Sequence, residues 1–273
     1  MARNRPGPSG APSSGYSRQE LMVIEAARHV RNGEVVFVGT GLPLLATTLA
    51  QRTHAPGVVC VIESGVIAPQ VLPTPISVSD PKVMFGAVKL GTLREVLGCL
   101  LQRGLVDLGF VGGAQIDRYA NINSTVIGPP RARERRLPGS GGANDMASHC
   151  RRLLIITRHE RRRFPERCDY VTSPGFLDGP DGRKRAGLRP DFSVTVVTDL
   201  AVMENDPVTC ALRIVKLMPG VTVDAVLAET GFRPGVAPHV GEVVPPSAED
   251  LRVLRDEVDP ARVYLKDTEP ARR

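Results

Sequence analysis

Val58-Val59-Cys60-Val61-Ile62-Glu63-Ser64-Gly65-Val66 is the stretch whose reading decides the fold. Its first five residues are apolar and mostly β-branched, the composition of a short strand buried on both faces. The apolar run stops at a carboxylate. In open α/β sheets ligands bind outside the carboxyl ends of the strands, so Glu63 stands where such a strand would present a side chain to a ligand. Taken alone, the commoner reading is a charge that happens to begin a turn; its surroundings decide between the two.

Upstream, Ser17 and Glu20 form a capping box, and Leu21, Ile24, Ala27 and Val30 recur at helical spacing up to Asn32-Gly33. Glu34 to Val38 reads as a buried strand, Gly39-Thr40-Gly41-Leu42-Pro43 as a tight loop, and Pro43 to Arg52 as a helix with Pro in its first turn. With the strand that ends at Glu63 this makes a strand, loop, helix, strand unit, which predicts parallel neighbours joined by a right-handed crossover.

Downstream, a connection with Pro69, Pro73, Pro75 and Pro81 runs to Phe85-Gly86, too irregular for a simple turn. Thr92 and Glu95 cap a helix carrying Leu93, Val96, Leu97, Leu100 and Leu101, which ends at Gly104. Leu108 to Val111, Leu153 to Thr157, Phe192 to Val197 and Ile214 to Met218 read as strands, with Ala201 to Met203 as a further one. The polar run from Ala114 to Asn123 reads as loop or edge strand, and residues 173 to 190, rich in Gly, Pro and charge, as exposed loop. Thr222 caps a short helix, and Ser247 with Asp250 opens a last one. Alternating strands and helices predict a layered α/β sandwich with a mostly parallel central sheet. The expected division is a disordered Pro/Gly/Ser-rich tail over 1–16, one domain over 17–258, and a polar tail over 259–273.

A net charge of +6 and a pI of about 9.3 raise the question of nucleic acid. Aromatic residues at 4%, with no Trp, leave little to stack bases on, and Arg131, Arg133, Arg135, Arg136, Arg158, Arg161, Arg162, Arg163 and Arg167 fall in loops. An acidic ligand or partner is the better use of that charge. The five cysteines (Cys60, Cys99, Cys150, Cys168, Cys210) are scattered and are expected to be reduced. No apolar run is long enough to cross a bilayer and no signal peptide is visible, so a cytoplasmic protein is expected. His29, His54, His149, His159 and His239 show no metal spacing, and no nucleophile elbow is present.

Two glycine loops invite a nucleotide reading and fail it. Leu44 stands where a third dinucleotide-binding glycine would follow Gly39 and Gly41, and Asn144 where one would follow Gly139 and Gly141; neither loop ends in Gly-Lys-Ser/Thr. Both retain backbone able to approach a ligand and amides able to face an anion. The run Gly139-Ser140-Gly141-Gly142 reads as an oxyanion cradle.

Glu63-Ser64-Gly65 at a strand end, Gly39-Thr40-Gly41-Leu42-Pro43 before it, and Gly112-Gly113-Ala114-Gln115-Ile116-Asp117 and Gly139-Ser140-Gly141-Gly142-Ala143-Asn144-Asp145 after it together resemble the β subunit of family I coenzyme A transferases, of the glutaconate and 3-oxoadipate type. The likeness continues through Tyr170-Val171-Thr172-Ser173-Pro174-Gly175, Val197-Thr198-Asp199 and Pro219-Gly220-Val221-Thr222, over residues 17 to 235. Each motif alone is weak; their order carries the signal.

The resemblance implies a CoA-transferase-like fold and Glu63 as the nucleophile that carries a glutamyl-CoA thioester. It implies that Gly141, Gly142 and Ala143 lie over the active site facing the oxyanion. Gly39, Gly41, Ser64, Gly65 and Asn144 are then substrate- or CoA-binding positions, and Gln115 and Asp117 lie near the substrate and position the loop. It implies no permanent cofactor and no metal, a CoA thioester and a dicarboxylic or 3-oxo acid as substrates, and an α subunit without which the chain is inactive. Met218 stands where relatives often have His, and the Arg131 to Arg136 segment is unusual. A CoA-thioester hydrolase or decarboxylase, or a non-catalytic ligand-sensing domain, are the alternatives on the same fold.

Overall fold

A computed structural model describes residues 15–70, 74–77, 79–128 and 135–265; of the tails predicted over 1–16 and 259–273, residues 1–14 and 266–273 lie outside them, as do Pro73, Arg131 and Arg133. In chain order the elements are α1 (Arg18–Arg28), β1 (Val35–Val38), α2 (Leu42–Arg52), β2 (Val59–Ile62), β3 (Val66–Ile67) and β4 (Lys89–Leu90). A helical segment, Glu95–Leu101, precedes β5 (Leu108–Val111), β6 (Gln115–Ile116), β7 (Ile122–Asn123), β8 (Val126–Ile127), β9 (Arg135–Arg136) and α3 (Ala143–His149). Then come β10 (Arg152–Ile156), α4 (Gly182–Arg185), β11 (Ser193–Val197), β12 (Ala201–Asn205), β13 (Leu212–Leu217), α5 (Val223–Ala228), β14 (Gly235–Glu242) and α6 (Ala248–Arg252).

The main sheet has the order β14-β13-β12-β11-β10-β5-β1-β2-β3-β4. Its centre, β11-β10-β5-β1-β2, is parallel throughout. The predicted unit is present: β1 and β2 pair parallel, Val35 with Val59 through Val38 with Ile62, with α2 crossing between them. Counted among the five parallel strands alone, the order is 2-1-3-4-5. In such a sheet the chain leaves in opposite directions from the strands ranked first and third, here β1 and β5, and a crevice opens at their carboxyl ends.

Side chains of these strands alternate between two cores. Val36, Val38, Cys60, Ile62, Leu108, Phe110, Leu154 and Ile156 pack with α1, α2 and residues 253–265 on one side. Phe37, Val61, Val111, Leu153 and Ile155 pack with the Glu95–Leu101 segment, α3 and α5 on the other. Glu63, two residues beyond Val61, leaves the sheet on that second side.

The helix starts follow the sequence. Glu20 N–H donates to Ser17 Oγ at 3.1 Å and Ser17 N–H to the Glu20 carboxylate at 2.7 Å. Thr92 Oγ1 accepts from Glu95 N–H at 3.2 Å, and Gly104, at φ +70°, ends that helix. Among the described residues no helix is long and apolar enough to cross a membrane.

Two expectations are corrected. Residues 173 to 190 are only in part an exposed loop: Asp178, Asp181 and Lys184 to Gly187 are exposed, but Ser173, Pro174, Gly175, Phe176 and Arg183 are buried. The Arg183 guanidinium donates to the carbonyls of Ala147, Ser148, Pro174, Gly175 and Arg189 and lies 3.6 Å over the Phe192 ring centroid. A segment that reads as polar is thus wrapped around one buried cation. Residues 259–265, expected as the start of a polar tail, are packed onto the domain: Asp259 and Leu265 are buried, and the Asp259 carboxylate accepts from the amides of Val263, Tyr264 and Leu265.

Candidate active site

Glu63 emerges at the carboxyl end of β2, one strand, about 4.8 Å, from Gly39 at the end of β1. Gly65, at φ +106°, turns the chain back into β3, its N–H donating to Ile62 O at 2.9 Å. This tight return leaves Glu63 half-buried and Ser64 exposed. Ser64 borders a hollow of about 230 Å³ shared with Val66, Asp80, Met84 and Leu90.

The glycine run reaches the same place from the opposite direction in the chain. Gly142 N–H donates to Glu63 Oε1 at 3.1 Å. Both glycines lie against the carboxylate: a Cβ on Gly142 would stand a tight 3.3 Å from Glu63 Cδ and 3.3 Å from Leu97 Cδ2, and one on Gly141 would be in ordinary contact at 3.5 Å from Oε1 but on a backbone at φ +48°. Ala143 N–H closes the turn on Ser140 O at 2.9 Å and opens α3. A carboxylate held by a backbone amide, with small residues leaving room above it, can act as a nucleophile whose own oxygen is already met by a donor.

The remaining expected positions divide. Gly39 and Gly41 line the carboxyl edge beside Glu63, Gly41 at φ +95° starting α2. Asn144 lies in the first turn of α3, but its Nδ2 is spent on Thr172 O at 2.7 Å. Gln115 is buried in the β6–β7 hairpin, where Oε1 accepts from Asn123 Nδ2 at 2.7 Å and Nε2 donates to Asp169 at 3.0 Å. Asp117 is enclosed by its own turn: its carboxylate accepts from Tyr119 N–H, Asn121 N–H and Asn121 Nδ2 at 3.0, 3.1 and 3.0 Å. Burial pushes this carboxyl up, against those hydrogen bonds. It faces a separate cleft of about 490 Å³ with Arg118, Arg167 and Cys168. The structure therefore brings together Glu63 and the Gly141–Gly142 pair, and does not bring Gln115 or Asp117 into contact with Glu63.

Sequence reasoning passed over Leu97, Ser124 and Thr172. Leu97 meets the glycine loop from the Glu95–Leu101 segment, and the other two hold its base. The Thr172-Ser173-Pro174-Gly175 stretch was the available signal, without a role attached to it. Among the described residues no group of His, Cys, Asp and Glu is arranged to hold a metal ion.

The family model described as "Coenzyme A transferase" matches residues 20–229. The β subunit of the 3-oxoadipate CoA-transferase of Pseudomonas knackmussii is 39% identical over 242 residues, covering 89% of this chain and 93% of that protein. The corresponding subunit of the glutaconate CoA-transferase of Acidaminococcus fermentans is 36% identical, covering 94% and 97%. The crystal structure of glutaconate coenzyme A-transferase from the same organism superposes with a TM-score of 0.86 over 92% of this chain and 98% of that one, at 35% identity.

Proposed function

Because the chain belongs to the coenzyme A transferase family, we propose that it is the catalytic β subunit of a two-subunit enzyme that moves CoA from an acyl-CoA to a carboxylic acid through Glu63. The observation that carries this is the Gly142 N–H set 3.1 Å from Glu63 Oε1 at the carboxyl end of a buried parallel strand. Glu63 attacks the thioester carbonyl; the C–S bond breaks, and CoA thiolate leaves an acyl-glutamyl anhydride. The thiolate then attacks Cδ of Glu63, the donor acid departs with the bridging oxygen, and a glutamyl-CoA thioester remains. An acceptor carboxylate reverses the two steps. In the second and third of these attacks the negative charge gathers on the Glu63 oxygen itself, the atom that Gly142 already meets. One such donor contributes about 3–4 kcal/mol, or about a hundred- to a thousandfold in rate.

The CoA thioester enters as a substrate. Both named relatives act on dicarboxylic acids by their names, and an acid of that class is the acceptor we assign. The partner subunit is placed on the apolar edge beside the site. Phe85, Val88 and Leu90 are 69%, 82% and 60% exposed, and Met84 and Leu90 also border the Ser64 hollow. An unpaired edge strand with such a patch is a surface that a second chain covers, and covering it strips water from Glu63.

The test is acceptor dependence. The chain, co-purified with its partner subunit, is given an acyl-CoA with and without a dicarboxylic acid. New thioester formed only when the acid is present, and lost in Glu63→Ala, supports transfer; free CoA released without acceptor at the same rate supports hydrolysis instead.

A further inference from the structure

The Gly139–Gly142 loop has two residues at positive φ, Gly139 at +98° and Gly141 at +48°, so its backbone has wide freedom, with Ser140 Oγ to Gly141 O and Ala143 N–H to Ser140 O, both at 2.9 Å, as its local bonds. Its position is also held from outside, at both ends, and both restraints lead to one buried residue, at its hydroxyl and at its carbonyl. At the entry, Gly139 N–H donates to Ser124 O at 2.8 Å, and Ser124 Oγ donates to Gly139 O at 2.7 Å. Ser124 is in turn held by its own N–H, which donates to Thr172 Oγ1 at 2.9 Å. At the exit, Asn144 Nδ2 donates to Thr172 O at 2.7 Å. Thr172 itself is fixed on β7 by its N–H, which donates to Ile122 O at 2.8 Å, and its hydroxyl also meets Thr125 Oγ1 at 2.8 Å.

We propose that Thr172 is the positioning residue of this site: its hydroxyl, through Ser124, and its carbonyl, through Asn144, fix where the Gly142 N–H stands against Glu63. The proposal rests on the reading of Glu63 as nucleophile. The loop amide does its work in the attacks on Cδ, so loosening its base slows formation of the glutamyl-CoA thioester without changing the surface that CoA binds. Thr172 Oγ1 is the atom to remove. Thr172→Val keeps the shape and the carbonyl but leaves Ser124 N–H without its acceptor; Thr172→Ser keeps the hydroxyl. A displacement of the amide of about 1 Å or less costs about ten- to a hundredfold.

The experiment uses the co-purified two-subunit enzyme. Single-turnover formation of the CoA adduct on Glu63 is followed by mass spectrometry in wild type, Thr172→Val, Thr172→Ser and Ser124→Ala, with steady-state kcat and KM and melting temperature for each. The expected result is a kcat about ten- to a hundredfold lower in Thr172→Val with KM for the acyl-CoA unchanged, a smaller loss in the same direction in Ser124→Ala, and recovery in Thr172→Ser. Wild-type adduct rates in Thr172→Val would overturn the proposal, as would kcat and KM moving together with no recovery in Thr172→Ser. Should Thr172→Val fail to fold, Ser124→Ala decides: an unchanged adduct rate there overturns the clamp. Absence of any Glu63 adduct in wild type would overturn the nucleophile reading and the positioning role with it; an adduct in wild type and all variants at one rate would sink only the latter.

Discussion

Gly65→Ala is the substitution whose cost can be worked most fully from the structure. A methyl group on Gly65 would stand 2.5 Å from Gly91 O, 2.7 Å from Gly91 C and 2.8 Å from Thr92 N. All three are main-chain atoms, so no side chain can swing away. The residue also holds φ at +106°, a conformation that costs a non-glycine residue about 1–3 kcal/mol. Overpacking against atoms that cannot yield adds about 1–3 kcal/mol. The two together place the loss at about 4 kcal/mol, a large share of the ~5–15 kcal/mol that holds a domain together. For a chain of this size that lowers Tm by about 7 °C. The damage is also local to function, because Gly91 N–H donates to Gly65 O at 2.9 Å and the Thr92 cap follows at once. Forcing this crossing apart moves the turn that carries Glu63. The assay is urea denaturation followed by circular dichroism, with Ser64→Ala, an exposed neighbour, as the control expected to stay within about 0.5 kcal/mol of wild type. A Gly65→Ala chain within about 1 kcal/mol of wild type, at an unchanged m-value, would refute the packing argument.

Arg183→Met removes the donor shared by five carbonyl groups, four of them buried, and is expected to cost at least about 3 kcal/mol in the same denaturation assay; Arg183→Lys recovers only part, because an ammonium lacks the planar fork. Burial pulls His159 down to about 4 from an ordinary value of 6.5, so the unfolded chain binds its proton first, and stability is lost as pH falls through that window. Between about pH 7 and about pH 4.5 this amounts to about 2.5 kcal/mol, read as a falling urea midpoint that His159→Gln flattens. Glu25, though buried, is held down to about 2 by the His29 ring 3.7 Å away and the Lys216 ammonium at 2.8 Å; its contribution is present above about 4.5 and lost only below it, so Lys216→Met, which lets that carboxyl rise, lowers stability near neutral pH, flattens the loss below about 4.5 and leaves the His159 window unchanged.

The parallel centre of the sheet was legible because β1, β2, β5, β10 and β11 are largely buried on both faces and rich in apolar residues, with Ser193 and Thr195 of β11 and Arg152 of β10 as the polar exceptions. β3, β4 and β14 were not: the first two are two-residue pairings inside a Pro-rich connection, and β14, largely exposed, carries Pro238 and two glycines, Gly235 and Gly241. Residues 173 to 190 misled for a tertiary reason. Gly, Pro and charge signal solvent unless something buried accepts them, and Arg183 finds carbonyls from α3 that no local pattern announces. At the site, Glu63 and the glycine pair could be read because their chemistry is carried by residue type at an element boundary. Gln115 and Asp117 stood in the right motif, yet their polar atoms are taken up by Asn123, Asp169 and Asn121. Thr172 was invisible as a participant, since its partners lie 48 residues before and 28 residues before it.

The most direct test of the central claim is to trap the covalent intermediate. The two-subunit enzyme is incubated with acyl-CoA donors, reduced with borohydride and digested, and the peptide containing residue 63 is read by mass spectrometry. Reduction of Glu63 to the alcohol only after acyl-CoA treatment is the predicted result, since borohydride reduces an activated acyl group at Cδ and leaves a free carboxylate untouched. Turnover of acyl-CoA to transferred product with Glu63 unmodified would contradict it.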